Sequence, residues 1–529
     1  MSQFTRRKLL KLVGRAGGVA AVYSTMKALN LLDSPAKAIE SPKLTADEGK
    51  GVKVAILGAG IAGMTAAYEL GLAGYDCTIL EASDRAGGRC WTIRAGTEIE
   101  ELGSKQTCPF DSSEHLYFNP GPARIPHHHQ GILSYCREFG VPLQVFVNEN
   151  RATYFQDDQA FGGQAILNRR VVNDSRGYMA ELLAKAINQK ALDTEIQAED
   201  RERLLEFVSS YGNLSQDYRY KGTDRAGYSS PPGAALTPGK LYKPLDFSEL
   251  LKSDFWRYKL HFGEGYTHPT TMLEPVGGMD RIATAFASRV GDRIKYNAVV
   301  KQMRQTGNGV RVVYQETETG QQQELTADYA ICTFSLPVLE KIKTDFSPQL
   351  KQAIAKGTNY TNAVKVGFQA EQRFWEQKDH IYGGISWTES DITQIWYPSS
   401  GFHQEKGIIV GAYIWDNSIG EPWGKMMPAQ RIEKAIANGA KVHPNYREVI
   451  TPAMGITIAW EKMPYSLGAW ADWSEEDRDH AYRILNQVEG PIYLAGEHLS
   501  YLTGWQEGAV LSAYQAIAKI TAKVKATQA

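Results

Sequence analysis

Apolar positions along the chain fall into runs of two kinds. Val54-Ala55-Ile56-Leu57 is short and unbroken, the pattern of a strand covered on both faces. A glycine-rich turn follows it, then helix-forming residues over 62–72 and a second apolar run over 75–81 that ends in an acid. Strand, turn, helix, strand is the predicted order. Residues 130–147 predict a helix and a strand, and from about 170 to 255 the pattern turns helical and charged. Within that part, 179–191 and 201–211 carry helical periodicity, and 222–239 is a loop rich in Gly, Pro and Ser. Turn chemistry at 275–279 precedes a predicted helix at 280–288. Strand-like runs at 299–302, 310–315, 329–332, 363–368, 394–397 and 408–415 predict a mixed or antiparallel sheet with few helices. Strand, turn and helix return over 492–495 and 508–519, and no internal repeat or low-complexity tract is present.

A chain of 529 residues is too long for one core and predicts two or three domains. With 43% apolar and 22% charged residues and a net charge of −1, it reads as an ordinary globular enzyme. The balance gives no basic excess for nucleic acid. The first residues differ. Thr5-Arg6-Arg7-Lys8-Leu9-Leu10-Lys11 precedes a Gly/Ala-rich run that Arg15 and Lys27 interrupt, too weak for a stable membrane span. This stretch resembles a twin-arginine export signal over 1–38, implying carriage by the export machinery of an already folded protein to the periplasm or outside. Cys77, Cys90, Cys108, Cys136 and Cys332 have no paired spacing, so they read as buried thiols and neither as a metal site nor as a disulfide framework.

Gly58-Ala59-Gly60-Ile61-Ala62-Gly63 fits a dinucleotide-binding fingerprint between the predicted strand and helix. Gly58 permits the tight turn, Gly60 lets backbone approach a pyrophosphate, and Gly63 lets helix and strand pack closely. The helix N-terminus then offers unpaired N–H groups to the phosphates. Glu81, about 20 residues on, ends the second strand where a carboxylate accepts from ribose hydroxyls. This much does not choose between NAD and FAD.

The residues after it do. Glu81-Ala82-Ser83-Asp84-Arg85-Ala86-Gly87-Gly88-Arg89 resembles the extended FAD fingerprint of the flavin-containing amine oxidases. Tyr493-Leu494-Ala495-Gly496-Glu497-His498, followed by Gly504-Trp505, resembles that family's closing FAD motif. The resemblance implies an α/β (α+β overall) fold with a Rossmann-like FAD-binding domain from 50–125, 275–330 and 480–525. It also implies a mixed-sheet substrate domain from 126–170 and 331–475, and a helical insertion over 171–270. It implies cofactor contacts from Ala62, Ala82, Gly88, Arg89, Gly496 and Glu497, with Val300 at the adenine edge.

Gly121-Pro122-Ala123-Arg124-Ile125-Pro126 resembles the segment of L-amino-acid oxidases whose Arg grips the substrate carboxylate. A planar guanidinium offers two parallel donors for that task. By the same resemblance Tyr413 holds the carboxylate as well, and Lys365 stands at the flavin, bridged to it through a water. Trp460, Tyr465, Trp470 and Trp505 form an aromatic wall near flavin and substrate, and Arg124, Trp460, Gly504 and Trp505 border both. A lysine in an apolar strand must find partners or change its protonation. His127, His128 and His129 read as exposed polar residues. The implied reaction is FAD-dependent deamination of an L-amino acid by O2 to a 2-oxo acid, ammonia and hydrogen peroxide. An amino-acid 2-monooxygenase and a monoamine or polyamine oxidase are the alternatives. Side-chain preference, any general base and oligomeric state stay open, a homodimer being common among relatives.

Overall fold

The run Lys53–Leu57 is the middle strand of a parallel five-stranded sheet in the computed structural model, which describes residues 41–192, 197–257 and 259–528. The strand order is Ile294–Lys295, Asp76–Leu80, Lys53–Leu57, Tyr329–Cys332, Ile492–Leu494. Its alternation sorts side chains to two cores. Val54 and Ile56 face one with the helices Ile61–Leu72, Asp280–Val290 and Gln506–Gln528, while Ala55 and Leu57 face the other. That second core lies under an antiparallel sheet of Ala298–Thr306, Gly309–Glu316 and Gln322–Ala327 with Lys343–Thr344 at its edge. The unbroken apolar pattern of the central strand follows from having both faces covered.

A second, seven-stranded sheet runs in the order Gly455–Ala459, Val364–Ala370, Gly407–Ile414, Gln394–Tyr397, Gly384–Thr388, Tyr154–Gln156, Ile166–Leu167. The expected strands are there. The helix Pro428–Val442, which the sequence pattern did not single out, packs on this sheet through Ile432, Ala435 and Ile436. Its buried positions recur every three or four residues, a helical period present in the sequence. The strands Gly384–Thr388 and Gly455–Ala459 also went unpredicted. Their residues are buried throughout, so they show no alternation.

The helical stretch consists of Asn168–Asn188 and Ala198–Gly212. The loop after it contains a short turn at Asp224–Ala226 and the strand pair Tyr228–Ser230 with Lys240–Leu241. All five cysteines are free and buried. The proposed export signal lies outside the described residues, and none of the described helices is long and apolar enough to cross a membrane.

Candidate active site

The sharp turn after Lys53–Leu57 opens a long cleft at the carboxyl ends of the parallel strands, where ligands of such sheets sit. Gly58 has φ 102°, a conformation other residues enter only under strain. A Cβ on Gly63 would stand 2.0 Å from the Gly58 carbonyl oxygen, so close helix packing requires glycine. A Cβ on Gly60 would meet nothing within 4 Å; it would project into the cleft itself. That open space beside bare backbone at a helix N-terminus fits a pyrophosphate.

Glu81, Ala82, Gly88, Arg89, Val300, Gly496 and Glu497 line the same cleft, together with Gly58, Gly60 and Ala62. The Glu81 carboxylate is buried and oriented by two backbone donors, Ala59 N at 2.7 Å and Ser83 N at 2.9 Å. Its remaining lone pairs fit ribose hydroxyls. The Arg89 guanidinium donates to Glu497 at 2.9 Å, and the other Glu497 oxygen accepts from Gly504 N at 2.9 Å. This pair ties the two FAD motifs together across 408 residues of sequence. The cleft therefore fits the FAD that the motifs imply. Phe334, Ser335 and Ser466, which carry no motif, line it as well.

A second chamber of about 330 Å³ adjoins this cleft. Lys365, Tyr413, Trp470, Gly504 and Trp505 border both spaces, whereas Arg124 borders only the second and Trp460 only the first. Arg124 is buried, and its Nη1 donates to Asn148 Oδ1 at 2.8 Å. The guanidinium lies 4.3 Å from the Trp396 ring centre and 5.3 Å from that of Phe262. Asn148 in turn donates to the carbonyl of His268 at 2.9 Å, so one side chain fixes both the arginine and the loop opposite.

Lys365 is on an interior strand, paired with Tyr413 on one side and Ile458 on the other. Its side chain is buried, at 2% exposure. Its Nζ donates to the carbonyls of Gly121 at 2.7 Å and Asn119 at 3.2 Å, and sits 4.4 Å from the Tyr413 ring centre. Burial, reinforced by the neighbouring Arg124 charge, holds its pKa well below that of an ordinary amine. The Trp460 indole donates to the Pro120 carbonyl at 2.9 Å, fixing the segment that leads to Arg124. Tyr465 is half exposed and borders the cleft away from the second chamber.

The expectation for the histidines holds only in part. His127 is exposed, but His129 is buried with its ring 5.0 Å from Trp505. It begins the helix Gln130–Glu138, whose packing draws it inward. Burial and the two preceding histidines push its pKa down to about 3. His268 flanks Trp505 on another side at 5.4 Å and lines the chamber. Burial and the Arg124 charge lower it to about 3, so it is neutral at ordinary pH. His268, Trp396, Trp415 and Asp472 all line the chamber and went unpredicted. No motif surrounds them; the run of strand aromatics around 396 and 415 was the one available signal.

Comparison with known proteins matches residues 61–521 to the flavin containing amine oxidoreductase family. YobN of Bacillus subtilis (strain 168), provisionally named an L-amino-acid oxidase, is 28% identical over 481 residues, covering 87% of this chain and 92% of its own. The L-amino-acid oxidase of Vipera ammodytes ammodytes is 28% identical over 485 residues, covering 87% of this chain and 90% of its own. Among solved structures, the cyclohexylamine oxidase of Brevibacterium oxydans IH-35A superposes with a TM-score of 0.58 at 17% identity, over 90% of this chain and 99% of that one. At that identity the likeness speaks for the fold alone.

Proposed function

The chain belongs to the flavin-containing amine oxidoreductase family and takes FAD, and on that premise we propose that it oxidises free L-amino acids to 2-oxo acids. The observation that carries this reading is Arg124, a buried guanidinium aimed into the chamber beside the FAD cleft. A carboxylate is the substrate group whose two oxygens match the parallel N–H donors of a guanidinium. The similarity to L-amino-acid oxidases supports the same choice.

Bound FAD supplies the two-electron acceptance and the return of those electrons to O2. The chain's own residues do the rest. Arg124 binds the α-carboxylate through two parallel N–H donors, and the Tyr413 hydroxyl adds a third. Their grip on one end of the substrate sets the direction of the Cα–H bond and lowers the entropic cost of reaching the reactive geometry. Neutral His268 puts no second cation there to compete with Arg124. Lys365, whose burial holds its pKa well below that of an ordinary amine, is placed to hold a water in the chamber and to exchange a proton with it. Trp396, Trp415, Trp470 and Trp505 keep bulk water from the reacting carbon. Overall, amino acid, O2 and water give 2-oxo acid, ammonium and hydrogen peroxide.

Arg124→Ala tests this assignment. It should lower kcat/KM for L-amino acids by about a hundredfold or more, chiefly through KM, as a two-point charged contact is lost. Steady-state kinetics with the flavin absorbance unchanged would support the assignment, and a near-normal KM would refute it. Product analysis addresses the finer alternative, because an amide and CO2 in place of 2-oxo acid and peroxide would identify a 2-monooxygenase.

A further inference from the structure

Within the chamber that we assign to the amino acid, charge is distributed unevenly. Arg124 and Lys365 enter from the segment after Gly121 and from the strand Val364–Ala370. One acidic residue lines the chamber, Asp472, and it is exposed to solvent. It comes from a different element, the short strand Ala471–Asp472, which pairs with Asn359–Tyr360. Its backbone carbonyl accepts from Thr358, while its carboxylate has no hydrogen-bond or ion-pair partner among the described residues. Trp415, Trp470 and Trp505 also line the chamber, with Thr361 and Thr503 among them.

We propose that this site selects L-amino acids with a long cationic side chain, an ammonium or guanidinium on an aliphatic stem, and that Asp472 is its specificity-determining residue. The inference rests on the amino-acid-oxidase reading above. With the α-carboxylate held at Arg124, the substrate's side chain extends into the remainder of the chamber, whose lining includes several indoles, two threonines and one acidic residue. Indole faces attract cations through the ring quadrupole, and a guanidinium can also stack on them. A carboxylate without a cationic partner supplies the opposite charge. A neutral side chain of equal length would use only the apolar part of this surface. An acidic one would meet Asp472 as a like charge.

The experiment compares kcat/KM for L-lysine and L-arginine with that for L-norleucine, which keeps the stem, and for Nε-acetyl-L-lysine, which keeps the length without the charge. L-Phenylalanine and L-glutamate complete the set. The holoenzyme and its Asp472→Asn variant are both assayed by peroxide release. Lysine and arginine should exceed norleucine and acetyl-lysine by about tenfold or more. D472N should shrink the lysine-to-norleucine ratio by a similar factor. Norleucine or phenylalanine equal to lysine in the wild type overturns the proposal, as does a D472N ratio equal to that of the wild type. Silence with every L-amino acid from flavin-loaded protein overturns the oxidase reading instead, so the two failures are distinguishable. The wild-type comparison stands on its own should D472N fold poorly.

Discussion

Lys365 illustrates how one side chain's chemistry depends on its neighbours. A buried amine at the centre of a three-strand stretch, with a guanidinium nearby, loses its charge more readily than it would in water, although two carbonyls accept from it. Lys365→Met keeps the stem and removes the amine. The account expects kcat to fall by at least about tenfold with little change in KM, since general acid–base groups are worth roughly a hundredfold or more. Unchanged turnover in stopped-flow and steady-state assays would remove Lys365 from the mechanism. Glu274 offers a test of pH dependence. It is buried, its carboxylate accepts from Gln144 Nε2 at 3.0 Å, and burial raises its pKa from 4.5 to about 8. The folded state therefore keeps a proton that the unfolded chain releases. Its stabilising share is complete below pH 4.5 and is lost as pH rises through about 8. Glu274→Gln should flatten the decline of Tm over that interval, as thermal melts at several pH values would record. At this scale the sequence singled out Arg124 and Lys365 because flanking residues formed a motif or because a charge broke an apolar run. Asp472 and His268 had neither signal, and only the folded arrangement of their strand and loop brings them to the chamber.

At the scale of elements, the turn from Lys53–Leu57 into Ile61–Leu72 was legible because glycine spacing records backbone geometry directly. Gly60→Ala and Gly63→Ala separate its two demands. A methyl at Gly60 enters open cleft, so it should weaken FAD binding with little loss of apoprotein stability. A methyl at Gly63 meets a carbonyl at 2.0 Å and should destabilise the fold itself, by about 1–3 kcal/mol or more as overpacking does. Flavin titration and apoprotein melts distinguish them. Similar losses in both properties for the two variants would contradict the division. The helix Pro428–Val442 and the strands Gly384–Thr388 and Gly455–Ala459 were harder to read. The helix was hidden among strand-like neighbours, and fully buried strands carry no polar alternation to mark their faces.

Over the whole molecule, the cleft we assign to FAD draws on residues from Gly58 to Ala509. The Arg89–Glu497 pair bridges its two ends. A ligand bound only by the folded state raises stability with its concentration. Tm should therefore climb with added FAD, and Arg89→Ala should lower both FAD occupancy and that gain. A Tm indifferent to FAD would contradict the cleft assignment. The order of strands and the presence of two FAD motifs were readable along the chain because each is local. The closure of the second chamber was not, since Arg124, His268, Lys365, Trp396 and Asp472 come from distant segments whose meeting depends on sheet pairing.

The central claim is that this FAD cleft serves a chamber built around a carboxylate. Its most direct test is peroxide release, coupled to a peroxidase dye, from the holoenzyme offered glycine, each of the nineteen chiral standard amino acids as L- and D-enantiomers, and simple amines. The account predicts peroxide together with the matching 2-oxo acid from L-amino acids, and none from D-amino acids or from amines lacking a carboxylate. A response confined to the simple amines would contradict it.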